Sequence, residues 1–229
     1  MCFSPAMSLS LAFVGIIGTI ICLYNHKLRK TLLCIPFIFY TFMELLQAWQ
    51  YTHANQCGSK VNLLSTEIAY ILVIVQPLLW NLLFYISANG CEKNLFLVGI
   101  VSATIWMIVN IAQRFMYPGL QVRTNDTHSY NGKESGCTRR NGTEHIYWQW
   151  KFTDFKGVDA NWLMYLVIWF IPAFLSIKFR KIMIITFIFA AFAFILAKWY
   201  YNNTTMFASL WCLYSIPTLI LLLVSILYW

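Results

Sequence analysis

The sequence predicts an all-α integral membrane protein: a bundle of seven transmembrane helices, N-terminus outside and C-terminus cytoplasmic. Three observations predict it. Of 229 residues, 60% are hydrophobic and only 10% are charged, whereas a soluble fold needs roughly a quarter of its residues charged to cover its surface. The apolar residues run in seven stretches close to the length of about 20 that crosses a bilayer. Basic residues gather in the short segments after alternate stretches, the pattern of cytoplasmic loops. Soluble enzymes, disordered tails and nucleic-acid modules do not fit this composition.

The first stretch, 7–24, has no basic segment ahead of it and is followed by Lys27, Arg29 and Lys30. It reads as an uncleaved anchor that turns Met1 to Ser8 outward. The second, 31–50, returns outward and carries Glu44. The third, 64–87, runs inward through Gln76-Pro77, and Lys93 follows it beside Glu92. The fourth, 94–117, leads into a polar outer loop, 118–159, whose length lets it translocate regardless of its mixed charges. The fifth and sixth, 160–177 and 180–200, flank Lys178, Arg180 and Lys181, and the seventh is 206–229. No internal repeat or linker divides the chain, so residues 1–229 read as a single transmembrane domain. Of the sixteen basic residues behind the net charge of +8, seven lie in the inward loops. Topology and attraction to anionic lipid account for that excess.

Sidedness also organises the cysteines and sequons. Cys22, Cys34 and Cys91 fall near the cytoplasmic side, where thiols stay reduced. Cys2, Cys57 and Cys137 lie outside and are disulfide candidates, Cys57–Cys137 with Cys2 as the competing partner; Cys212 sits near the outer end of the last span. A metal site built from the outer cysteines and His145 is the alternative, set aside because oxidising conditions favour the bridge. No cofactor motif is present. The glycosylation candidates Asn125, Asn141 and Asn203 all fall on the outer side, which agrees with the charge-based orientation and with the secretory pathway or plasma membrane.

Ionisable groups within a span cost roughly 2.5–3.5 kcal/mol at mid-helix, so each requires a reason. Glu44 is the clearest, with Tyr40, Thr41 and Gln47 three or four positions away on the same helical face. The fourth stretch places Asn110, Gln113 and Arg114 on one face of its outer half. The third places Glu67 near the outer surface and Gln76 near the midplane. Pro77 beside it frees a carbonyl one turn earlier that a polar neighbour or water must satisfy. These residues are far apart in sequence and similar in depth, which predicts a polar pocket open to the lumen. Arg114 would pair with Glu44 or Glu67, or snorkel to the interface. Tyr147, Trp148, Trp150, Phe152 and Phe155 read as an interfacial belt, with a lid over the pocket as the alternative. Trp162, Tyr165, Trp169 and Pro172 form one packing stripe, and Gly15, Gly18, Ala190, Ala191 and Ala193 permit close helix contact.

Other seven-span classes fail on their chemistry. The last stretch lacks the buried lysine of a retinal pigment, and Ser87-Ala-Asn-Gly and Ser215-Ile-Pro-Thr stand where a rhodopsin-like receptor has its signature motifs. None of the stretches holds a histidine for an intramembrane zinc site. Short motifs spread along the chain do carry a resemblance: Met1-Cys-Phe-Ser-Pro5, Met43-Glu-Leu-Leu-Gln47 after Pro36, Gln76-Pro77, Cys137 followed by Gly142-Thr-Glu-His-Ile-Tyr-Trp148, Ile171-Pro172, and Trp211-Cys-Leu-Tyr-Ser215. Together they resemble an uncharacterised family of small multi-pass membrane proteins that begin Met-Cys-Phe-Ser and have no established activity. The resemblance implies that Cys2, Glu44, Gln47, Gln76, His145 and Cys212 are motif positions. Where that family has further acids ahead of the Trp-Cys segment, this chain has Thr205-Met-Phe-Ala-Ser209.

The expected function is binding or conduction of a small ion, proton or polar ligand, with the lipid bilayer as the surrounding partner and no nucleic acid. Glu44 would bear the charge, Arg114 would be its counter-ion or an anion contact, and Gln47, Gln76, Asn110 and Gln113 would orient the ligand. Two alternatives stand beside it. One is a lumen-facing enzyme acting on lipid, with His145 as base and Glu44 or Glu67 as acid; the other is a structural protein whose polar residues hold helices in register.

Overall fold

The computed structural model describes residues 4–30, 32–116, 136–141, 145–149, 162–200 and 207–228. Most of them are helical. The long helices are α1 (Pro5–Tyr24), α3 (Cys34–His53), α4 (Lys60–Ser87), α5 (Glu92–Met116), α6 (Trp162–Leu175), α7 (Arg180–Ile195) and α8 (Phe207–Tyr228). A short α2 (His26–Lys30) follows α1, and a π-helical turn, Leu196–Tyr200, extends α7. Each apolar stretch of the sequence therefore forms one helix. The second begins and ends later than expected, taking in His53 and leaving Leu32 in a left-handed turn (φ 54°) ahead of it.

The helix ends follow local chemistry. Pro5 occupies the first turn of α1, where its missing N–H is harmless, and Ser4 Oγ accepts from the Met7 amide at 3.2 Å. Asn25 closes α1 and starts α2, its Oδ1 accepting from the Lys27 and Leu28 amides. Ser59 caps α4 by accepting from the Val61 amide. Gly90 (φ 54°) makes the left-handed turn into α5.

Among the described residues four helical segments are long and apolar enough to cross a membrane: Pro5–Tyr24, Lys60–Ser87, Glu92–Ala112 and Arg180–Trp199. α3 has the length, but Thr41, Glu44, Gln47 and Gln50 make it more polar. The 14 residues of α6 extend only about 21 Å. Large apolar side chains are exposed along α1 (Phe13, Ile16, Ile20), α5 (Val98, Val101, Ile105) and α7 (Ile184, Ile188, Phe192). A water-soluble surface does not carry so much contiguous apolar area.

Contacts close α3, α4, α6, α7 and α8 into a ring, with α1 packed outside on α3 and α5 outside on α4 and α6. Glycines set two of these approaches. A Cβ at Gly18 would lie 2.4 Å from the Phe37 ring, and one at Gly99 would lie 2.1 Å from Asn81 Oδ1. Asn81 explains the second. Its Nδ2–H donates to the Ile168 carbonyl at 3.1 Å and to the Pro77 carbonyl at 2.8 Å. Pro172 has no amide to offer Ile168, so an asparagine from α4 satisfies the carbonyl that the α6 proline frees.

The turns at one end of the bundle are stitched by Glu92. It accepts from Ser176 Oγ at 2.9 Å and from the Ile177 amide at 2.7 Å, while Lys178 Nζ donates to the Ser87 carbonyl at 2.5 Å. Lys27 reaches the Leu227 carbonyl at the same end. At the other end lies an antiparallel hairpin of β1 (Cys137–Asn141) and β2 (His145–Gln149), where the sequence predicts only loop. It rests on α3, α4 and α8. The disulfide is Cys57–Cys137, tying the hairpin to the α3–α4 turn; Cys2 lies outside the described residues.

Candidate binding site

The hairpin is held by side chains that imitate a strand. Asn62, two residues into α4, donates from Nδ2 to the Thr138 carbonyl at 2.9 Å and accepts from the Thr138 amide on Oδ1 at 3.0 Å. The same Nδ2 caps α3 by donating to the His53 carbonyl at 2.7 Å. Thr66 gives its hydroxyl proton to the Asn62 carbonyl at 2.7 Å, so Thr138 is the donor in the 2.7 Å contact between the two threonine hydroxyls. Asn55, in a left-handed conformation (φ 67°) that asparagine tolerates, turns its amide to the Thr138 carbonyl and accepts from the Arg140 amide. Arg140 lies 5.5 Å from the centre of the Tyr51 ring. Burial pushes the Tyr147 phenol above its ordinary pKa, against the opposing pull of the Arg139 guanidinium, so the phenol stays neutral at physiological pH.

Below the hairpin a stripe of polar side chains runs down the inner face of α3. Positions 40, 43, 44, 47, 50 and 51 recur at three- and four-residue intervals and are all buried, as expected of one helical face. Gln50 forms the top rung, donating to the Ser65 carbonyl at 2.8 Å and accepting from the Trp148 indole at 2.9 Å. Trp148 therefore belongs to the bundle interior, contrary to the interfacial belt expected of it. Gln47 and Glu44 lie one and two turns deeper, both fully buried. Among the described residues Glu44 is the only charged side chain that is buried. Next come Met43 and Gln76: Gln76 Nε2 donates to the Met43 sulfur at 3.1 Å, and Tyr165 of α6 donates to Gln76 Oε1 in a short hydrogen bond. At the foot, the Trp80 indole donates to the Tyr40 hydroxyl at 2.7 Å.

The remaining candidates are placed less centrally. Asn110 is buried but turns its Nδ2 back to the Trp106 carbonyl of its own helix at 2.7 Å. Glu67 is half-buried in the upper part of α4. The backbone puts Gln113 and Arg114 at the end of α5 and His145 at the start of β2, while their side chains, like that of Cys212, lie outside the described residues. Asn125 and Asn203 lie outside them entirely, and Asn141 ends β1. Cys22 and Cys34 are buried free thiols and Cys91 is exposed. No three His, Cys, Asp or Glu among the described residues come together to hold a metal ion.

Aromatic rings complete the wall opposite α3. Tyr165 packs against Trp106 and Trp169, with centroids 6.2 and 5.3 Å apart, and Trp169 stacks on Trp80 at 5.6 Å and meets Trp211 edge-on at 5.3 Å. The indole N–H groups of Trp106, Trp169 and Trp211 are buried with no acceptor among the described residues. Each such donor costs about 1–3 kcal/mol. Gln50, Asn62, Asn81 and Tyr165 were not singled out as site residues from the sequence. Gln50 continues the 44–47 spacing by one further turn, and that signal was available.

A helical chain with four segments able to cross a bilayer and broad apolar faces is a membrane protein. It belongs to the family of unknown function DUF5765, which it matches over residues 6–228. No curated protein and no solved structure matches it.

Proposed function

We propose that the chain crosses the membrane seven times, with N-terminus and hairpin on the lumenal or extracellular side, and that the stripe beneath the hairpin binds or conducts a small ion, proton or polar ligand. Glu44 bears the charge, and Gln47, Gln50 and Gln76 orient what it binds. Arg114, one turn beyond Asn110 on α5, is the counter-ion in this reading. The orientation is supported by the two ends of the bundle. Lys27, Arg29, Lys93, Lys178, Arg180 and Lys181 gather at one, while the disulfide, the hairpin and the Asn141 sequon lie at the other. The short α6 spans by local thinning of the bilayer or by extension into flanking residues.

The observation that carries the reading is Glu44 itself, a fully buried carboxylate on a face lined by buried amides. A group so costly to insert is retained for what its charge or proton does. In proteoliposomes monitored by a pH-sensitive dye, Glu44→Gln is expected to lower proton or cation flux at least about tenfold, since one charge-assisted contact is worth roughly 1.5–3 kcal/mol. A folded variant with undiminished flux removes Glu44 from the mechanism.

A further inference from the structure

The aromatic wall has hydrogen-bonding capacity that the protein leaves unused. Trp106, Trp169 and Trp211 are 4, 1 and 3% exposed, and none of their indole N–H groups has an acceptor among the described residues. Asn110 Oδ1, one turn from Trp106, likewise has no donor there. Trp80, stacked on Trp169, gives its N–H to Tyr40 and is satisfied. Tyr165 links Trp106 to Trp169, Trp169 meets Trp211, and Tyr165 reaches the turn that carries Glu44 through Gln76 and Met43. Hydrocarbon outside the helices offers such donors no acceptor.

The geometry points to a binding site for an uncharged molecule that carries carbonyl oxygens on an apolar body. This deepens the binding reading above and rests on it. Three donors call for acceptor atoms, and a carbonyl oxygen has two lone pairs. Asn110 Oδ1 receives an N–H or O–H from the same molecule, and the indole and phenol faces cover its apolar part. Trp106, Trp169, Trp211, Asn110 and Tyr165 carry no charge, so the wall itself offers an ion no partner.

The carbonyl could come from the bilayer, as an acyl ester, or from the aqueous phase, as an amide. The two sources separate in nanodiscs of dialkyl ether phosphatidylcholine, which has no carbonyl. In protein labelled with ¹⁵N at the indole nitrogens, three of the ten tryptophan N–H resonances should shift downfield and saturate on adding a carbonyl probe. A response to dioleoylglycerol assigns the bilayer source, and a response to acetanilide the soluble one. Trp106→Phe, Trp169→Phe and Trp211→Phe should each delete one shifting signal, and the Trp80 signal should stay fixed. Should a variant fail to fold, the number of shifting signals in the wild-type protein decides. The inference is overturned if neither probe moves three resonances, or if a dialkylglycerol ether lacking the carbonyl moves them equally. Indoles that respond while Glu44→Gln leaves flux unchanged would refute the role of Glu44 alone; silent indoles with Glu44-dependent flux would refute the ligand class alone.

Discussion

Cys57→Ser is expected to release the hairpin from the helix ends at a cost of about 3 kcal/mol. The chain-entropy account gives up to about 4.5 kcal/mol for a bridge enclosing 80 residues. Much of that loop is α4 and α5, which remain in the bilayer when the hairpin detaches, so the smaller figure applies. Hydrogen exchange read by mass spectrometry should show faster exchange in 137–149 with α3 and α4 unchanged, and Cys137 should become alkylatable. Exchange as slow as in the bridged protein would mean that side-chain hydrogen bonds alone hold the hairpin.

Asn62→Leu tests those hydrogen bonds, with an expected cost of about 2–4 kcal/mol to hairpin docking. The substitution strands the buried Thr138 amide at about 1–3 kcal/mol, takes one of two donors from the His53 carbonyl, which keeps the Gln56 amide, and puts a branched side chain where a flat amide bridged two backbone groups. Asn62→Asp, which keeps the acceptor for Thr138 and loses the donor, should fall between wild type and Asn62→Leu. Because Asn62 and the disulfide restrain the same strand, combining Asn62→Leu with Cys57→Ser should cost less than the sum of the single effects. Protease susceptibility of the hairpin in each variant measures this, and strict additivity would show that the two restraints act on separate units.

The helices were legible because burial in lipid demands about 20 apolar residues at a time, and that demand is written in composition. Their ends were less legible, since polar caps such as Asn25 and Ser59 act over single residues. The hairpin was not legible. Cys137-Thr-Arg-Arg-Asn141 has no alternating pattern; it is a strand because β2 pairs with it, and Asn62 and Asn55, distant in sequence, bond the Thr138 and Arg140 backbone. On α3 the three- and four-residue spacing around Glu44 marks a buried face that Gln50 continues, whereas Asn62 sits near a helix end, where polar residues are ordinary. Trp148 was assigned to the membrane interface because no sequence pattern reveals that its indole meets Gln50. The sequence predicts a freed carbonyl one turn before Pro77 on α4. The observed rescue is at Pro172, by Asn81, and depends on a helix pairing that local sequence does not encode.

The central claim is that water reaches Glu44 from the hairpin side. It is tested most directly by adding a water-soluble carbodiimide and an amine nucleophile to one face of oriented vesicles at mildly acidic pH, then locating modified carboxylates by peptide mass. The account predicts that reagent on the hairpin side modifies Glu67 and Glu44, and that reagent on the opposite side modifies Glu92 and spares Glu44. Modification of Glu67 with Glu44 untouched would contradict it, leaving Glu44 as a member of a closed interior that serves packing alone.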